Sequence, residues 1–209
     1  MNRFIASPPY DESGEMMRWQ SVIVILVVII LISVPVASGA GPNGQGAGYG
    51  AGLGFNLTIP EPSDYNLTEI EIDGLLFMRE EEQMAHDLYS VWSDMYSLPI
   101  FENIAQAEET HASEVQFLID RYQIQTENIG NLSAGFGDPT IQALSVSLAE
   151  QGNLSLTDAL KAGVMIEEQD ISDLDKALAN TTREDLKVVY GNLRSGSENH
   201  LSAFHKQLS

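Results

Sequence analysis

Glu108 and His111 stand one helical turn apart in PIFENIAQAEETH (99–111). A carboxylate and an imidazole at that spacing project from one helix face and can grip a single metal ion. Apolar stripes elsewhere in the chain are interrupted by polar groups in the same way. Leu160, Val164, Glu167, Ile171, Leu174 and Leu178 recur at helical intervals, so Glu167 takes a core position. Leu75, Met78, Glu82, Ala85, Tyr89 and Trp92 form another stripe, and a neighbouring one (Phe77, Glu81, Met84, Leu88, Val91) carries Glu81. A last stripe reads Leu186, Val189, Leu193, Ser197, His200, Phe204. Burying an unpaired carboxylate costs several kcal/mol, and neighbouring ones repel each other. Two divalent cations would neutralise them, and mixed carboxylate and imidazole donors suit iron, manganese or zinc better than calcium.

These side chains need helices to carry them. Thr68 and Glu71 make a capping-box pair that opens a helix running to about Tyr96. Leu98-Pro99 restarts the chain into a second helix ending near Tyr122. Residues 123–138 read as loop, and Asp138-Pro139 opens a shorter helix that stops at Gly152. Ser155 with Asp158 caps a third long helix reaching about Leu178, and Thr181 with Glu184 is the expected cap of a fourth. No segment alternates as a strand does over more than a few residues. The fold expected is all-α, four long helices with a long crossover, carrying a short extra helix, between the second and third.

Composition narrows the function. The 209 residues carry a net charge of −20, which repels phosphate backbones and argues against nucleic-acid partners. Cysteine is absent, which removes disulfides, thiolate metal sites and cysteine nucleophiles. Residues 22–37 (VIVILVVIILISVPVA) are almost wholly apolar and follow Arg3 and Arg18. They fall a little short of the roughly 20 residues of a straight membrane span. The expected organisation is a short cytoplasmic segment (1–20), a signal anchor or cleaved signal peptide (21–38), a Gly-rich extracytoplasmic tether and lead-in (39–67), and a helical domain (68–209). The domain would then lie outside the cell membrane, tethered to it or secreted. Sequons at Asn56, Asn66, Asn131, Asn153 and Asn180 agree with export, although Asn and Ser/Thr also gather in turns.

From about residue 68 onward the chain resembles the ferritin-like superfamily, and most closely the prokaryotic family called domain of unknown function 2202. The residues behind the resemblance are MREEEQMAHDLY (78–89), PIFENIAQAEETH (99–111), ALKAGVMIEEQDISDL (159–174) and GSENHLSAF (196–204). The superfamily places one Glu on its first helix, E-x-x-H on the second, one Glu on the third and E-x-x-H on the fourth. The resemblance therefore implies Glu82, Glu108, His111, Glu167 and His200 as metal ligands in a ferritin-like four-helix bundle. It implies Glu108 and Glu167 as bridges between two metals, with Glu82 and His111 on one and His200 on the other. Ser197 departs from the pattern, standing where a glutamate is expected. Asp170, one turn beyond Glu167, can supply the missing oxygen, with Glu81, His86 and Glu168 as weaker candidates.

Ordinary readings stand beside these. Glu80, Glu81 and Glu82 as a run of acids would be a solvated face. Glu167, Glu168 and Asp170 would be one inward acid with two exposed neighbours. His86 is either a support for a ligand or a surface group, and His205 is exposed. The functions left open are an iron protein with two ions or one that reacts with oxygen or peroxide, and a non-enzymatic surface module with one structural metal or none. A metal-free adhesion or sensory bundle is a third class. The partners expected are metal ions and the membrane, with a homodimer left open.

Overall fold

The computed structural model describes residues 57–126 and 130–209. The apolar segment, the Gly-rich stretch and Asn56 lie outside the described residues, and so do the expectations that rest on them. Among the described residues no helix is long and apolar enough to cross a membrane.

These residues form five helices: α1 (Glu69–Tyr96), α2 (Pro99–Arg121), α3 (Pro139–Gly152), α4 (Leu156–Ala179) and α5 (Glu184–Leu208). Among them there is no strand, only an isolated bridge between Asn131 and Gly135. The all-α expectation holds. The local signals work as chemistry dictates at most ends. Thr68 accepts from the Glu71 amide while the Glu71 side chain accepts from the Thr68 amide, closing a reciprocal cap. Asp138 accepts from the amides of Thr140 and Ile141 ahead of Pro139. Ser155 accepts from the Asp158 amide. Ser97 turns the chain from α1 into α2 in the left-handed conformation, at φ 51°.

One expected cap does not form. Helix α5 starts at Glu184 with Arg183 as its cap residue and no side-chain cap. The Thr181 hydroxyl donates instead to Glu71 Oε1 at 2.7 Å, across to α1. The Thr181 oxygen still accepts locally, from the Arg183 amide at 3.1 Å, so the hydroxyl ties the start of α5 to α1 rather than capping the first turn.

Helix α1 packs on α2 and α4, α5 packs on α4 and α2, and the short α3 lies against α1 and α4. The buried apolar residues divide into two clusters. One gathers Leu88, Trp92, Phe101, Leu160, Ile166 and Phe204, and the other Leu75, Met78, Val115, Leu118, Leu174 and Leu193. Along every long helix a polar stretch separates the two: Glu81 and Glu82 on α1, Glu108 and His111 on α2, Glu167 and Asp170 on α4, Ser197 and His200 on α5. Apolar burial at both ends therefore carries a polar layer that would not stay buried alone.

Candidate metal centre

Glu80, Glu81 and Glu82 are all buried, contrary to the habit of acidic runs. Helix α1 is enclosed by α2 on one side and by α3, α4 and the 130–138 loop on others, leaving no solvated face for the run. The three acids have different fates. Glu80 turns to the loop and accepts from the amides of Gly130, Gly137 and Asp138 at 3.0, 2.8 and 2.7 Å. Glu81 and Glu82 line a narrow interior gap together with Ala85, Glu108, Ile166, Glu167 and Asp170.

Two groups of donors surround that gap. Glu82, Glu108 and His111 form one, and Glu108, Glu167 and His200 the other; in each, one donor atom per residue lies within 4.8 Å of the rest. Glu108 belongs to both. Its Oε2 accepts from His111 Nδ1 at 2.7 Å, and its Oε1 lies 2.9 Å from His200 Nδ1. His111 Nδ1 is also 3.4 Å from Glu82 Oε2, and His200 Nδ1 is 3.5 Å from Glu167 Oε2. The two imidazole rings lie side by side, 5.7 Å between centroids. Tyr89, wholly buried, donates to Glu167 Oε1 at 2.6 Å and fixes that carboxylate from α1.

The other buried acids show by contrast what this group lacks. Glu71 is met by Thr68, Thr181 and Arg183, and Asp185 by Arg121 and Tyr122. Both oxygens of Glu114 accept from Asn192. Around the gap, Glu81 Oε2, Glu82 Oε1, Asp170 Oδ1 and His200 Nδ1 are buried with no hydrogen-bond partner; the His200 ring comes close to Glu108 without aiming an N–H at it. Orphaned buried oxygens are costly unless a cation or a proton takes them up. Oxygen and imidazole donors in two close groups fit divalent first-row metals such as iron, manganese or zinc. These residues can hold a metal ion.

Without a metal, protons bear the load. Burial, then the charge of Glu108, pushes the Glu167 carboxyl up to about 7. Burial raises Glu82, Glu81 and Asp170 well above the usual carboxylate range, with Asp170 adding to the effect on Glu81. Glu108 goes the other way: burial opposes its charge, but the two imidazoles outweigh burial and hold it below the usual range. Burial likewise opposes charge on His200, while contacts with Glu108 and Glu167 outweigh it and lift the ring up to about 9. His111 is raised by the same balance with Glu108 and Glu82.

Of the residues singled out in the sequence, Glu82, Glu108, His111, Glu167 and His200 come together at the gap. Glu108 is common to both groups, and Glu167 belongs to one. Glu81 and Asp170 line the gap, and Ser197 is buried against Asp170. Glu168 is exposed on the far face of α4 and takes no part. His86 sits outside, its Nδ1 2.9 Å from Asp87 Oδ1. His205 is exposed, as expected. Glu114, one turn beyond His111 on the same face, is buried too, but Asn192 satisfies it and it enters neither donor group. The described sequons, at Asn66, Asn131, Asn153 and Asn180, are all exposed.

Similar proteins share this helical domain. An uncharacterised protein of Methanocaldococcus jannaschii, MJ0754, is 43% identical over 144 residues, 68% of this chain and 77% of the relative. The crystal structure of hypothetical protein MJ0754 superposes with a TM-score of 0.67 at 40% identity, covering 71% of this chain and 85% of that one. The model of the uncharacterized protein domain DUF2202 matches residues 71–209, which span α5 and α4, α3 and α2, and all of α1 except its first two residues. With its Glu/His centre inside that match, the chain belongs to the DUF2202 family.

Proposed function

We propose that this chain is a ferritin-like metal protein whose four long helices form a bundle around a two-ion iron centre reactive toward oxygen or peroxide. The observation that supports it best is the sharing of Glu108 between two buried Glu/His groups, a donor arrangement for two neighbouring cations. The protein's part is positional. Glu82 and His111 would hold one ion, Glu167 and His200 the other, and Glu108 both. Tyr89 restrains Glu167 through its hydroxyl. The apolar clusters on either side keep bulk water out, so the charges act in a low dielectric. Bound iron would supply one-electron redox chemistry. The acidic surface, −19 from residue 39 onward, raises the local concentration of cations. The apolar segment 22–37 would place the domain outside the membrane, anchored or released.

Ser197 favours a second reading, in which one structural metal is held and no redox chemistry follows. Anaerobic titration of the full-length chain with Fe(II), followed by oxygen, separates the two. Two irons per chain, oxygen consumption and a new near-ultraviolet absorbance band support the first reading. One ion that stays silent toward oxygen supports the second. No metal uptake overturns both.

A further inference from the structure

Position 197 holds a serine one turn before His200, and its hydroxyl cannot replace a carboxylate as an anionic ligand. The space beside it is filled from another helix. Ser197 is fully buried, and its Oγ is hydrogen-bonded to Asp170 Oδ2 of α4. The other Asp170 oxygen, Oδ1, is buried and has no partner. Asp170 lines the same gap as Glu82, Glu108 and Glu167, and is close enough to feel the charge of all three. Asp170 stands outside both donor groups as the side chains now lie, but its three neighbours draw on both of them, with Glu108 common.

We propose that Asp170 is a second carboxylate shared by the two cation positions, alongside Glu108. The ligand that α5 lacks is thus provided from α4, with Ser197 orienting it. The inference rests on the two-ion reading above. Its physical logic is one of space and charge. A glutamate at 197 would put two carboxylates where one now fits, whereas a serine leaves room for Asp170 and holds one of its oxygens. The other oxygen is then left for a cation, and that is the oxygen found without a partner.

The test uses equilibrium binding rather than turnover. The full-length chain is titrated anaerobically with Co(II), read in its visible bands, and with Mn(II), read by electron paramagnetic resonance for magnetic coupling between two ions. Wild type takes two equivalents and shows coupling. Asp170→Asn keeps the shape and a bond to Ser197 but loses the anion, and should weaken the second equivalent at least tenfold and abolish coupling. Asp170→Ala should do the same, and Ser197→Glu added to Asp170→Ala should restore the second equivalent. Two equivalents with wild-type affinity and coupling in Asp170→Asn overturn the assignment of Asp170 while leaving the two-ion reading in place. A folded double variant that fails to recover overturns the exchange between α5 and α4. Wild type that binds no cobalt or manganese overturns the two-ion reading, and this inference with it.

Discussion

A Cβ placed on Gly196 of α5 would lie 2.5 Å from Nε2 of His111 on α2 and closer still to Cε1, so the imidazole occupies space that only glycine leaves open. The ring's other nitrogen, Nδ1, is thereby held against Glu108 and Glu82. Gly196→Ala should improve the intrinsic helix propensity of α5 by about 1 kcal/mol while forcing His111 to retreat. Metal affinity should fall at least tenfold, with the melting temperature of the metal-free chain changed by only a few degrees. Calorimetric titration of the variant checks this, and unaltered affinity would show that the contact does not position the ring.

Glu108 and Glu82 should differ in reach. Glu82 enters one donor group and Glu108 both. Glu82→Gln should therefore remove one equivalent of Co(II) and leave the other near wild-type affinity. Glu108→Gln should weaken both. Removing the anion both imidazoles contact should also bring the raised His200 back toward its ordinary value of 6.5, visible in its NMR titration. Equal effects of the two substitutions would contradict the sharing of Glu108.

Glu80 illustrates a carboxylate with a different task, for it holds the α2–α3 connection by three backbone amides. Glu80→Ala strands those donors and should destabilise the chain by about 2–4 kcal/mol, with faster amide exchange and proteolysis confined to the 130–138 loop. Because Glu80 turns to the loop and does not line the gap, metal stoichiometry should not change. Urea unfolding and limited proteolysis read the first effect, and Co(II) titration the second. Loss of metal would mean the loop supports the centre.

The legible parts of this molecule are those written in local spacing. Thr68 with Glu71, Asp138-Pro139 and Ser155 mark helix starts because a cap is a contact over three residues. The inward stripes expose Glu82, Glu108, Glu167 and His200 because helical periodicity places them. What escaped depends on partners far along the chain. Glu80 is buried by a loop some fifty residues later, and Thr181, just ahead of α5, donates to Glu71 on α1. Ser197 and Asp170, 27 residues apart, reveal their relation only once α4 and α5 are packed.

The pH dependence of stability follows from the same packing. In the metal-free chain Glu167 is raised from 4.5 to about 7, and Glu81, Glu82 and Asp170 are raised as well, chiefly by burial. A carboxyl with a raised folded value contributes stability fully below its unfolded value and loses it as pH climbs through the folded one. His200, raised from 6.5 to about 9, contributes fully below 6.5 and loses that contribution toward 9, and the raised His111 acts in the same direction. The native state thus holds more protons than the unfolded chain across this range, and its stability must fall with rising pH. Glu108 is depressed and works oppositely, but its contribution is lost only as pH drops below 4.5. For Glu167 alone the displacement is worth on the order of 3 kcal/mol. The melting temperature with chelator present should therefore be highest near about pH 5 and decline steadily toward pH 9. Added metal replaces the protons, so its stabilising effect should grow with pH. Thermal melts across that range, with chelator and with Co(II), test both slopes. A metal-free chain whose melting temperature stays level or rises would mean that the buried carboxyls are not protonated in the fold.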